Sequence, residues 1–124
     1  MRKDLLLWQW SGYPDFHRSK TNLLLHIFGV PVFFSGFVWA ALCLGQGQWG
    51  LAAAGFGAAV ASFGIQGLGH KRERTAPIPF QGPVDFVTRV MAEQFVTFPR
   101  FLISGGWLRA LRQTERGGQA AKAD

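Results

Sequence analysis

From Thr21 to Gly69 the chain carries no Asp, Glu, Lys or Arg, forty-nine consecutive residues in a protein whose formal net charge is +6. All twenty formally charged side chains lie outside that stretch. A single cysteine, Cys43, excludes an intrachain disulfide and leaves cysteine-based metal chemistry without a partner thiol, so redox usage does not indicate a compartment. Asn-Gly hairpin signals are absent. At 124 residues the chain is too short for two independent cores. Near the start, Arg2 and Lys3 are followed by Asp4 and only a short apolar run, Leu5 to Trp8, so no cleavable signal peptide is expected and entry into a membrane falls to internal helices.

What is present is apolar and aromatic, with twelve Phe and five Trp. The uncharged stretch breaks once, at Gly45-Gln46-Gly47-Gln48. The 22 residues from Leu23 to Leu44 and the 20 from Trp49 to Leu68 are mostly apolar. At about 1.5 Å per residue each reaches about 30 Å as a helix, the hydrocarbon thickness of a bilayer. The sequence predicts an all-α integral membrane protein, a helical hairpin with further interfacial or partly inserted helices; a buried hairpin in a soluble protein is the competing reading. Gly50, Ala54 and Ala58, with Gly57 and Ala61, recur at four-residue spacing, as close helix packing in lipid favours. Gly55-Phe56-Gly57 has neither the preceding strand nor the later acidic residue of a dinucleotide fingerprint and is discarded.

Residues 1–108 are expected to form a single helical membrane domain. Leu5 to Trp10 suits a short interfacial helix that Ser11 to Asp15 breaks, and Ser19 or Thr21 suits the cap of the first span. Thr75-Ala76-Pro77-Ile78-Pro79 stops the second span, and Pro83 can start another helix. There Val84, Val87, Val90, Met91, Phe95 and Phe98 form an apolar face opposite an Asp85, Arg89, Glu93 ladder. Residues 109–124 read as a disordered polar tail.

The basic residues flank the hairpin: Arg2, Lys3, Arg18 and Lys20 on one side, Lys71, Arg72 and Arg74 on the other. A hairpin returns both flanks to one face, which the positive-inside bias makes cytoplasmic, so both termini are expected there. These charges suit anionic headgroups or an acidic substrate better than nucleic acid, and no nucleic-acid partner is expected.

The same return of the chain gathers polar groups. Asn22 and His26, four residues apart, share one face of the first span; Gln66, His70 and Glu73 share one face at the end of the second. With His17 just ahead of the first span, all three histidines of the chain fall at one level. Neutral imidazoles bind transition metals, a nearby carboxylate can complete or orient such a site, and polar groups at membrane depth are functional candidates. The His17 to His26 spacing is no specific zinc signature, and His70-Lys71-Arg72-Glu73 is not the metalloprotease pattern.

His17, Asn22, His26, Gly29 and Pro31 in HRSKTNLLLHIFGVP, followed by Gln66, Gly69, His70 and Glu73 in QGLGHKRE and then Pro77, resemble the small membrane 2-hydroxy-fatty-acid dioxygenases. The resemblance runs from Tyr13 to Pro77, while GPVDFVTRVMAEQFVTFPRFLISGGW departs toward a bacterial branch, which implies a bacterial inner membrane. It implies a membrane protein that uses Fe(II) and O₂ to remove one carbon from a 2-hydroxy fatty acid or a related lipid. His17, His26 and His70 are then metal ligands, with Glu73 as a fourth ligand or orienting partner. Arg72 or Arg100 pairs with the substrate carboxylate, Glu73 and Arg100 being the catalytic candidates beside the metal. Asn22, Gln66 and Glu93 support the site from behind. A non-enzymatic membrane scaffold with structural histidines and a zinc-dependent membrane hydrolase are the alternatives.

Overall fold

The computed structural model describes residues 3–123, and the side chains of residues 3–117. Arg2 and Asp124, which belong to the expected basic flank and polar tail, lie outside the described residues. The chain is all-helical: α1 (Leu5–Gly12), a 3₁₀ turn (Tyr13–Phe16), α2 (Lys20–Gly45), α3 (Trp49–His70), α4 (Pro83–Ala92), a π-helical turn (Glu93–Thr97), α5 (Phe98–Ile103) and α6 (Gly106–Ala123).

Helices α2 and α3 pack along their length as the expected hairpin. Ser19 is the cap of α2: its backbone is extended and its hydroxyl accepts from the Asn22 amide. Gly47 turns the chain at φ +71, a conformation glycine adopts without penalty. Where the helices cross, a Cβ on Gly36 would meet the Gly55 carbonyl at 2.6 Å, and one on Gly55 would meet the Gly36 carbonyl at 2.7 Å. The small-residue seam is therefore real but in another register. Ala52, Gly55, Ala59, Ser62, Gln66 and Gly69 are buried, whereas Gly50, Ala54, Gly57, Ala58 and Ala61 face outward.

Both long helices are apolar enough to cross a membrane, yet only 33% and 28% of their most apolar windows are buried within the protein. The helix of a soluble core would be mostly covered. Here Phe28 and Trp49, each 72% exposed, and Leu42, at 61%, leave the outer faces of the hairpin apolar.

The amphipathic helix after Pro83 buries part of both faces: Val90 and Phe98 of the apolar face are buried with Met91 and Phe95 packed against the core, yet part of the charged face is covered too. Val84 and Val87 are exposed, whereas Arg89 is buried and Asp85 pairs with it at 3.2 Å. The Asp85, Arg89, Glu93 ladder therefore faces the protein, and only its first step is an ion pair. Pro99 cannot donate to a carbonyl one turn earlier, and the wider π turn lies directly before it. Through that turn Glu93 and Gln94, adjacent in sequence, both point inward.

Past Arg109, where the polar composition predicts disorder, α6 continues to Ala123. Its start is anchored by the Trp107 indole, which donates to the Leu23 carbonyl at 3.0 Å, and by the burial of Ala110. These anchors spare the polar segment the full cost of nucleating a helix.

Candidate metal centre

The three imidazoles converge. Ring centroids of His17 and His26 are 4.8 Å apart, His17 and His70 4.9 Å, and His26 and His70 5.0 Å. The planes stand nearly perpendicular, at 79° to 89°. Such a triangle of edge-on rings aims nitrogens at a common point.

Hydrogen bonds settle which nitrogens. His17 Nδ1 lies 2.8 Å from the Tyr13 carbonyl and His26 Nδ1 lies 3.0 Å from the Asn22 carbonyl. A carbonyl only accepts, so each Nδ1 carries a proton, and in the neutral ring each Nε2 keeps its lone pair. Both Nε2 atoms face the Glu93 carboxylate, at 3.6 Å and 3.4 Å. His17 Nε2 and His70 Nδ1 are buried without a hydrogen-bond partner. Buried nitrogens left unpaired around a carboxylate match the donor set of a transition-metal site.

One ligand atom from each of His17, His26, His70 and Glu93 lies within 4.8 Å of every other. Donors on opposite sides of an ion bound at about 2.1 Å stand about 4.2 Å apart, so small adjustments close a coordination sphere. The residues present fit a metal ion of the class that takes imidazole and carboxylate.

The carboxylate in this set is Glu93 rather than Glu73, a change from the ligand set expected from sequence. Glu73 is occupied elsewhere: it accepts from the backbone amides of Arg18 at 3.1 Å and Ser19 at 2.9 Å, and from the Asn22 side chain at 2.9 Å. It ties the end of α3 to the start of α2 and thereby holds His17 and His70 together. Asn22 also donates to the Phe16 carbonyl at 3.1 Å, so its side chain supports the loop carrying His17 while its carbonyl orients His26. Gln66 is a strut: it exchanges amide hydrogen bonds of 2.8 Å and 3.1 Å with Gln94 and donates to Ser62 at 3.3 Å. Gly29 makes room for it, because a Cβ there would lie 2.9 Å from Gln66 Cγ.

Tyr13 was not singled out by the sequence, although it stands four residues before His17 as Asn22 does before His26. It is buried, stacks on His17 at a centroid distance of 3.8 Å, and donates through Oη to Glu93 at 3.1 Å. Burial pushes the Tyr13 phenol well above its usual range, and the Glu93 charge and hydrogen bond push the same way. For Glu93 burial alone favours the neutral acid, but the rings of His17 and His26, when protonated at Nε2, donate to it and carry charge beside it, which holds the carboxyl well below the usual carboxylate range; a metal ion on the same Nε2 atoms would take the place of those protons.

The cluster forms one wall of a cavity of about 300 Å³. Trp8, Phe63, Ile78 and Phe80 supply much of the apolar lining, and Arg89 is its one arginine. Neither arginine expected at a substrate carboxylate is there: Arg72 is exposed beyond α3, and Arg100 is exposed with its guanidinium stacked over Trp10 at 4.1 Å.

Residues 6–99 match the model of the Mpo1-like family, described as 2-hydroxy-palmitic acid dioxygenase Mpo1-like. That range covers most of the chain and contains every member of the His and Glu cluster, and the chain belongs to this family. No curated protein and no solved structure gives a significant match.

Proposed function

We propose that this member of the Mpo1-like family is an Fe(II)-dependent membrane dioxygenase that shortens 2-hydroxy fatty acids by one carbon, with His17, His26, His70 and Glu93 holding the metal. The observation that carries the reading is the pair of Nδ1 to carbonyl hydrogen bonds at His17 and His26, which turns both Nε2 atoms toward the Glu93 carboxylate at the wall of an apolar cavity. Iron bound there would supply activation of O₂ and a Lewis-acid anchor for the substrate's hydroxyl and carboxylate.

The chain's own contribution is positional. The Tyr13 and Asn22 carbonyls fix ring orientation, the Tyr13 hydroxyl holds one oxygen of Glu93, and Gln66 with Gln94 fixes α3 against the π turn that delivers Glu93. The aromatic lining keeps water from the reacting carbons. An acyl chain extends from the cavity along the apolar outer face of the hairpin.

In this reading α2 and α3 span the bilayer. Their uncharged lengths and uncovered outer faces support it. The basic residues Arg18, Lys20, Lys71, Arg72 and Arg74 then lie at the open end of the hairpin with the metal site, on the cytoplasmic face.

Anaerobic loading of the purified protein with Fe(II), followed by addition of 2-hydroxypalmitic acid and O₂, is expected to give oxygen uptake and a fatty acid one carbon shorter. Both should vanish in His70→Ala while the helical signal persists. Stoichiometric zinc with no oxygen uptake, or no bound metal, would overturn the proposal.

A further inference from the structure

Arg89 is 9% exposed, the one buried guanidinium among the described residues, and it lines the same cavity as the His and Glu cluster. Its Nη1 donates to the Pro79 carbonyl at 3.1 Å and to Asp85 at 3.2 Å, and its Nη2 to the Ile78 carbonyl at 2.8 Å. The Phe80 and Trp8 rings lie 4.4 Å and 5.1 Å from its Cζ. Three hydrogen bonds leave a guanidinium, which carries five N–H donors in one plane, with donors to spare. Two of the three acceptors are neutral carbonyls, which a neutral amide would satisfy equally well. Holding the loop at residues 78–79 therefore does not call for a cation; the Asp85 carboxylate does, but it engages only Nη1, which leaves Nε and one hydrogen of Nη2 for a further acceptor.

We propose that Arg89 fixes the carboxylate of the acidic lipid in this cavity and makes the site selective for free acids over their esters. The identity of that lipid rests on the dioxygenase reading; the binding step does not. A planar fork matches a carboxylate in a way a point charge does not, and the flanking rings hold the fork's plane and strengthen the pair by excluding water. Asp85 partners the guanidinium before the ligand arrives and competes with the ligand for it. Exposed Arg72 and Arg100 offer no such enclosed pair.

The test is calorimetric binding of 2-hydroxypalmitic acid and of its methyl ester to the full chain in detergent, kept metal-free so that binding is read apart from turnover. The wild type should prefer the acid. Arg89→Gln, which keeps amide donors for the two carbonyls, should weaken acid binding roughly 10- to 100-fold and leave the ester unchanged. Arg89→Lys should recover part of the preference, and Asp85→Asn should increase it. No acid preference in the wild type, equal weakening of acid and ester in Arg89→Gln, or a reduced preference in Asp85→Asn would overturn the proposal. Should Arg89→Gln fail to fold, the wild-type and Asp85→Asn preferences decide. An acid preference lost in Arg89→Gln while the iron-loaded wild type consumes no O₂ would sink the dioxygenase reading and leave the carboxylate site standing.

Discussion

Tyr13 Oη donates to Glu93 Oε1 across 3.1 Å, joining residues eighty positions apart in sequence. The same tyrosine offers its carbonyl to His17 Nδ1 and its ring to the His17 face. One residue thus orients two members of the candidate metal set from opposite sides.

Removing only the hydroxyl isolates the Glu93 half of that arrangement. In Tyr13→Phe the ring stack and the backbone carbonyl remain, but Glu93 loses the donor that aims it. Metal affinity is expected to fall about 10- to 100-fold, measured by competition against a chelator of known affinity, with the helical content unchanged. An unaltered affinity would mean that the histidines set the carboxylate's position unaided.

The two glutamates expected near the site should separate cleanly. Glu93→Gln removes the one carboxylate among the histidines and should abolish stoichiometric metal binding. Glu73→Gln weakens hydrogen bonds to the Arg18 and Ser19 amides at the start of α2, for a loss of about 1–3 kcal/mol in stability, while metal still binds. A thermal melt and a metal titration on both variants check this; the reverse pattern would restore Glu73 as the ligand.

Tyr13 is the chain's only tyrosine, so phenolate absorbance reports on it alone. Its folded pKa is raised above the unfolded value of about 10. The neutral phenol is favoured in the fold, so its stabilising contribution is complete below about pH 10 and is lost as pH rises through the folded value. In metal-free protein, phenolate should stay absent at about pH 10 and appear together with loss of helical signal at higher pH. Half-ionisation near pH 10 with the fold intact would show that Tyr13 is not buried against Glu93.

The hairpin and the imidazole triad were legible in the sequence because each depends on one long-range fact, that two uncharged segments return the chain on itself. What was not legible depends on phase. Glu93 reads as the third step of a surface ladder under a regular period, and the π turn before Pro99 brings it inside. Arg89 and Asp85 look like a solvated face, but Val84 and Val87 at the start of the helix are exposed while Arg89 is covered beside the buried Val90. Glu73, one turn past His70, has the spacing of a ligand, but the backbone amides of Arg18 and Ser19 lie closer to hand. Position along the chain cannot reveal that competition, since it is decided where α3 ends against the start of α2.

That junction gives the sharpest contrast between neighbouring glycines. A Cβ on Gly69 would stand 2.5 Å from Asn22 Oδ1 and 3.1 Å from Asn22 Cα, whereas one on Gly64 meets nothing within 4 Å. Gly64→Ala should therefore leave stability unchanged or slightly raised, as the better helix former replaces glycine. Gly69→Ala must push the end of α3 away from the start of α2. The Asn22 side chain can swing, but its backbone cannot without moving His26, and His70 follows directly on Gly69. The imidazole triangle should widen and metal affinity fall at least tenfold, even where the melting temperature drops only modestly. Equal metal affinity in the two variants would show that the site tolerates a looser hairpin than its close packing suggests.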